Sequence, residues 1–268
     1  MSRFVPYLVI ALLIWIFFFS HTFRPLGRWL GRRSGELRDA GREILDGDEV
    51  ENSPIARYEN EVGKTMTARV LSEHPLSADL PLQDRVYRIG HELAAQADRQ
   101  QLNYRFAVLE DPIPYALSLP GGSVFVTSAL ARLCGADDDR LAGIIGHEIA
   151  HIDQRHILKS MATRAATHGI LRFIPLLRGG LVRSLSGRVE ALIEQGFSEE
   201  REIEADVEGS RLAKCSGYAP LGLCEFLKDL SDLRPDPELP SGEYLRYFQS
   251  HPQPARRIRA LEKKWRSS

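Results

Sequence analysis

From Leu141 to Ile152 the chain is apolar except at three positions, His147, Glu148 and His151. A helix this apolar on all sides belongs in a protein interior. Burying two imidazoles and a carboxylate there is costly unless partners satisfy them. The rest of the chain must therefore fold around this segment and bring polar groups to it. His147 and His151 are four residues apart, so both imidazoles lie on one helix face and can reach one ion. With Glu148 between them they form H-E-x-x-H. Zinc suits such a site, because it accepts imidazole nitrogen and carboxylate oxygen and keeps one position for water. Glu148, beside the first histidine, is placed to take a proton from that water. Three aspartates, Asp137 to Asp139, suit the positive end of a helix dipole. The helix is expected to start near Asp137 and continue past Ala166.

A zinc hydrolase site needs a third protein ligand. His156 lies nine residues after His147, half a turn out of alignment at about 100° per residue. Gln154 also stands where a metzincin pattern would need glycine. His156 is therefore expected to be structural, near a helix end or a carboxylate. The better source is the run Phe197 to Asp206, whose helix is expected to start after Ser198 as N-cap. Glu202 and Asp206 share one face, with Glu199 on its margin. Glu204 lies about 200° from Glu202, so the two cannot face the same ion. Spacing selects this face but not the ligand.

The other strong constraint is at the N-terminus. Phe4 to Phe19 carries no charge and spans roughly 24 Å as a helix, close to a bilayer core once Ser20 to Thr22 are added. It exceeds a signal-peptide core and no A-x-A site follows it, so a retained anchor is expected. Arg24, Arg28, Arg32, Arg33 and Arg38 follow the run, which favours a cytoplasmic body by the positive-inside rule. Long domains also translocate against that bias. With Trp29 and Leu30 these arginines suit either anionic headgroups or a solvated linker. Lys plus Arg number 35 against 36 Asp plus Glu, without the basic excess of a nucleic-acid binder. Three cysteines with no C-x-x-C exclude a disulfide framework and a cysteine-built zinc site.

Between these features, Leu82, Val86, Ile89, Leu93 and Ala97 predict an amphipathic helix to about Arg99. Tyr104 to Val108 predicts a strand. Tyr115 to Leu119, Pro120-Gly121-Gly122 and Ser123 to Thr127 predict a hairpin. Its first strand, which runs into Pro120-Gly121-Gly122, is expected to be an edge strand beside the zinc cleft, with Val124 and Phe125 near that edge, and is a candidate for pairing with an extended peptide. Polar helix at 36–45, a turn at 46–48, and helices at 221–230 and 255–265 complete the reading. The interrupted apolar segment 170–196 reads as a mobile lid or membrane-surface element.

H-E-x-x-H followed by S-x-x-x-E-x-E-A-D at Ser198 to Asp206 resembles the HtpX-like and BepA-like zinc metallopeptidases, gluzincins that also include the CAAX prenyl proteases. Ala116 to Gly122 is similar to the family's N-A-F-x-L-P-G-G strand, with Tyr115 and Leu117 in place of Asn and Phe. Ser250 to Pro254 with Arg257-Ile258 resembles its C-terminal H-P-x-x-x-R-I segment. The likeness covers about residues 82–266. It implies an α+β, mainly helical zincin-type metallopeptidase domain with a small β-sheet, plus one N-terminal transmembrane helix. The divisions expected are an anchor at 1–23, a partly helical juxtamembrane linker at 24–80 and a metallopeptidase domain at 81–268. It further implies one zinc per chain held by His147, His151 and Glu202, with Glu148 as general base and Asp206 orienting a ligand histidine. His251 is implied as a gating or oxyanion residue, a surface or capping histidine being the alternative; Tyr247 is a second oxyanion candidate. The function implied is a single-pass membrane zinc metalloendopeptidase, in a bacterial inner membrane, acting on protein or peptide substrates in quality control of membrane or envelope proteins and touching lipid through its anchor. A non-catalytic zinc-binding chaperone or scaffold, and a zinc hydrolase of non-peptide substrates, are the alternatives.

Overall fold

A computed structural model describes residues 54–160, 196–232, 251–252 and 254–266, all within one compact unit, Glu49–Ser268. The apolar run at 4–19, the arginines at 24–38, the polar helix and turn at 36–48, most of the segment 170–196, and Tyr247 lie outside the described residues. Among the described residues no helix is long and apolar enough to cross a membrane.

Helix α1 (Pro54–Glu73) buries Glu59, Val62 and Met66. A Cβ at Gly63 would collide with the Pro120 carbonyl oxygen, so α1 lies hard against the turn that follows the second strand. Thr67 Oγ1 donates to Ser123 Oγ at 2.9 Å in the same region. Helix α2 (Leu80–Ala94) starts where the Asp79 carboxylate accepts the Leu82 N–H, with Pro81 in the first turn. Its buried face is Leu82, Val86, Ile89 and Leu93, the predicted stripe. It ends at Ala94, short of Arg99. The Arg99 guanidinium grips the Glu59 carboxylate through two bonds of 2.8 Å and donates to Ile152 O at 3.0 Å.

Strands β1 (Arg105–Leu109), β2 (Ala116–Leu119) and β3 (Ser123–Thr127) form one sheet in the order β1-β3-β2. The predicted hairpin is the antiparallel β2–β3 pair, with Leu117 opposite Phe125. Its turn uses Gly121 and Gly122 at φ +80 and +103, values that residues with a side chain rarely adopt. β1 adds in parallel to the far side of β3, pairing Phe106 with Val124. β3 is therefore central and wholly buried, and Val124 and Phe125 are not near an edge as expected. The edge strand that packs on the next long helix is β2.

After the short helix α3 (Ser128–Leu133), helix α4 (Asp138–Asp153) carries H-E-x-x-H. Asp137 caps it, accepting the Asp139 and Arg140 N–H groups at 3.0 and 3.2 Å. Every residue from Leu141 to Ile152 is buried, as its composition required. The helix does not run on past Ala166. It ends at Gln154–Arg155, where Arg155 takes φ +51, and residues 156–160 are helical again. Helices α5 (Glu199–Cys215), α6 (Gly222–Asp232) and α7 (Pro254–Arg266) follow. Ser198 has the extended backbone of an N-cap, but its side chain makes no capping hydrogen bond. The fold of the described residues is thus α+β and mainly helical, with α4 packed among α2, β2, α5 and α6.

The α4–α5 crossing is set by two glycines. A Cβ on Gly146 would come within 2.7 Å of Gly209 O, and one on Gly209 within 2.5 Å of His147 N. The two backbones touch here, immediately beside the first histidine of the motif. Gly209→Ala is expected to force the helices apart and cost at least about 1–3 kcal/mol, the usual range for overpacking. Urea unfolding of the variant measures it; an unchanged midpoint would mean that the crossing tolerates a methyl group.

Candidate metal centre

The close α4–α5 crossing decides which side chains meet. His147, His151 and Glu202 are all buried in one place, and His251, from the segment just before α7, joins them. Each offers one ligand atom, all within 4.8 Å of one another. His147 Nε2 is 3.0 Å from His151 Nε2, 3.2 Å from His251 Nδ1 and 3.6 Å from Glu202 Oε2. Glu202 Oε1 is 3.5 Å from His151 Nε2, and Oε2 is 3.2 Å from His251 Nδ1. A tetrahedral ion with bonds near 2.0–2.2 Å separates its donors by roughly 3.3–3.6 Å. Three imidazole nitrogens and a carboxylate at these distances are therefore a donor set that fits zinc.

Around this group the face of α5 divides as its periodicity predicts. Asp206, one turn after Glu202, places Oδ1 2.8 Å from His147 Nδ1, on the side of the ring away from the cluster. Glu204 points elsewhere, with about half of its side chain exposed. Glu199, on the margin of the face, is not in the group; it pairs with Arg256. Glu148 is buried but stands outside the donor set. Its Oε1 makes no hydrogen bond among the described residues and lies 3.4 Å from His251 Nε2.

Arg257, from the C-terminal H-P-x-x-x-R-I segment, is central to the site. Its fully buried guanidinium donates from Nε and Nη2 to the two Asp206 oxygens at 2.8 and 2.7 Å. Nη1 lies 3.1 Å from Glu202 Oε2 and donates to His251 O at 3.3 Å. No spacing rule in the sequence marks an arginine on an otherwise charged terminal helix as buried. His156, expected to be structural, is not in the donor group. The break at Arg155 nevertheless turns it back so that its Nδ1 lies 2.8 Å from His151 Nδ1. Phe197 stacks on His151, ring centroids 4.2 Å apart.

Three buried carboxylates, Glu148, Glu202 and Asp206, outnumber the one buried guanidinium, Arg257. That excess governs the ionisation of the site. Burial raises the Glu148 pKa, but the facing His251 outweighs it and brings the group down to about 2. Burial likewise opposes ionisation of Glu202 and Asp206, yet His251 and Arg257 hold Glu202, and Arg257 holds Asp206, below the usual range. His251 is the converse: burial alone would lower it, and Glu202 with Glu148 push it up to about 10. His151 is lowered to about 4, first by burial and then by His147. A pocket whose carboxylates outnumber its cations, lined by imidazole nitrogens, suits a divalent cation such as zinc.

Comparison with known proteins agrees with this chemistry. The profile of Peptidase family M48 matches residues 81–265. The chain is 27% identical over 183 residues to the beta-barrel assembly-enhancing protease of Yersinia pestis, covering 64% of this chain and 37% of that protein. It is 29% identical over 213 residues to the mitochondrial metalloendopeptidase OMA1 of Schizosaccharomyces pombe, covering 76% and 60%. It is 28% identical over 182 residues to the metalloprotease LoiP of Escherichia coli, covering 66% and 68%. The matched region thus spans well under two thirds of the first of these relatives and somewhat under two thirds of the second. The buried H-E-x-x-H helix, the acidic helix crossed over it and the family profile lead to one statement: this chain belongs to peptidase family M48.

Proposed function

We propose that the chain is a zinc metalloendopeptidase tethered to a membrane by residues 1–23, with 24–80 as the connection and 81–268 as the peptidase domain. The carrying observation is the convergence of His147, His151 and Glu202 on one point with Glu148 buried beside them. In this reading His147 Nε2, His151 Nε2 and a Glu202 oxygen hold one zinc ion. When bound, zinc supplies Lewis acidity that acidifies water and polarises a peptide carbonyl. Glu148 takes the proton from the attacking water and delivers it to the leaving amine. Asp206 accepts the His147 Nδ1 proton and so keeps Nε2 free to bind, the usual service of an outer carboxylate. Arg257 keeps Asp206 and Glu202 ionised and in place.

His251 is assigned the gate. With its Nδ1 in the donor set the site has four protein donors and no place for water, the pattern of a closed zinc site. Withdrawal of His251 leaves three protein ligands, the pattern of catalytic zinc. Once withdrawn, His251 is also the candidate to meet the carbonyl oxygen during attack. Edge strand β2, packed on α4, is assigned the backbone pairing with an extended substrate. The similarity to proteases named for β-barrel assembly and for mitochondria supports membrane or envelope proteins as the substrate class, and the arginines after the apolar run support a cytoplasmic catalytic side of a bacterial inner membrane.

The four-donor arrangement also favours a second reading, a zinc-holding scaffold or chaperone without turnover. One experiment separates the two. The purified full chain is stripped with a chelator, titrated with zinc and assayed on an unfolded protein substrate. The protease reading expects one zinc per chain, with hydrolysis lost on stripping and restored by zinc. Tight zinc binding without hydrolysis would select the scaffold; no zinc binding would remove both.

A further inference from the structure

The two motif histidines are oriented by different means, and the second means is one that a continuous helix could not supply. His147 has a buried carboxylate, Asp206, at its outer nitrogen. Among the described residues His151 has no carboxylate there. Its Nε2 lies in the donor group, and its Nδ1 lies 2.8 Å from Nδ1 of His156, a residue 0% exposed. On the far side, His156 Nε2 is 3.3 Å from Glu204 Oε2. Glu204 is the carboxylate that helical geometry turns away from Glu202.

The tautomers follow from the chemistry of ligation. An imidazole that gives its Nε2 lone pair to a metal, and is neutral, carries its proton on Nδ1. His151 Nδ1–H then donates, and His156 Nδ1 must accept. His156 in turn holds its own proton on Nε2, and Glu204 accepts it. All three positions agree on one direction of donation, from His151 through His156 to Glu204. The backbone is shaped for this contact. Arg155 sits at φ +51, a region that costs a residue with a side chain of order 1–3 kcal/mol. Its side chain is buried, with Nε 3.7 Å from Glu59 Oε2, beside the Glu59–Arg99 pair.

We infer that His156 is a positioning residue for His151, fixing the tautomer and ring angle of this metal ligand, and that Glu204 fixes His156 in turn. This rests on the metal site proposed above. Outer partners of ligand histidines are worth about 10–100-fold in metal affinity. His156→Ala is therefore expected to weaken zinc binding by about that factor. His156→Asn, whose amide oxygen can accept where Nδ1 did, should recover part of the loss. Glu204→Ala should weaken binding by a smaller factor, because its side chain is half exposed.

The experiment measures zinc affinity of the full chain by competition with a chromophoric chelator. Alongside it are recorded the visible spectrum of the cobalt-substituted protein and the melting temperature of the metal-free protein. The expected result is weaker zinc binding in His156→Ala and an altered cobalt spectrum, with partial return in His156→Asn. A lower metal-free melting temperature with wild-type zinc affinity and an unchanged cobalt spectrum would show that His156 only packs, and would overturn the inference. If His156→Ala does not fold, Glu204→Ala and His156→Asn carry the test, and wild-type affinity in both overturns it. Failure of the wild-type chain to bind zinc would be a different outcome, removing the metal site itself.

Discussion

Glu148→Gln is expected to retain one zinc per chain and to lose peptide hydrolysis by about 10²–10⁴-fold, the usual contribution of a general acid–base group. The expectation comes from where Glu148 stands. It is one residue from His147 on α4, buried, yet outside the donor set. A residue there can lose its charge without removing a ligand. The amide has nearly the same shape, so packing in α4 should be kept, but it cannot accept the proton of an attacking water. Zinc content by metal analysis and turnover on an unfolded protein substrate are measured together. Loss of zinc along with activity would move Glu148 into the ligand set. Full activity would exclude it as the base. The same variant, reconstituted in membranes, should hold substrates that the active protein releases.

Arg257→Leu is expected to destabilise the protein by about 3–5 kcal/mol, the penalty for breaking a buried ion pair by removing one partner. Arg257 has 0% exposure and serves Asp206 through two charge-assisted bonds, with Glu202 also in reach. Leucine fills much of the space but leaves both carboxylates facing a dry interior. Urea unfolding of the metal-free protein reads the loss. The double variant Arg257→Leu with Asp206→Asn should recover part of it, because the amide no longer needs a cation. A single-variant loss below about 1 kcal/mol, the range of exposed pairs, would mean that the site relaxes to admit water. An unfolded single variant leaves the double variant to be compared with Asp206→Asn alone.

Much of the local structure was legible because it depends on short-range pattern. The start of α4 at Asp137, the stripe from Leu82 to Leu93, the hairpin at Pro120-Gly121-Gly122 and the burial of Leu141 to Ile152 all follow from spacing and composition. So did the face of α5, since Glu202 and Asp206 turn to the site while Glu204 does not. The misreadings share one cause. α4 was expected to run past Ala166, and Val124 and Phe125 were expected near an edge. Each was decided by a partner distant in sequence. Arg99 closes the end of α4, and β1 covers the far side of β3.

The amino-acid sequence by itself determined the family, the buried helix and the residue types able to hold a metal, because helical periodicity and burial cost act within a few turns of chain. Only the tertiary structure decided three further things. Gly146 and Gly209 let two helix backbones touch, so that Glu202 reaches His147 and His151. Arg257 is buried among the carboxylates of the site. The turn at Arg155 brings His156 back against His151, five residues earlier. The physical reason is common to all three. A side chain's position across an interface depends on how closely two elements pack and where a helix stops, and neither is written in the periodicity of either element alone.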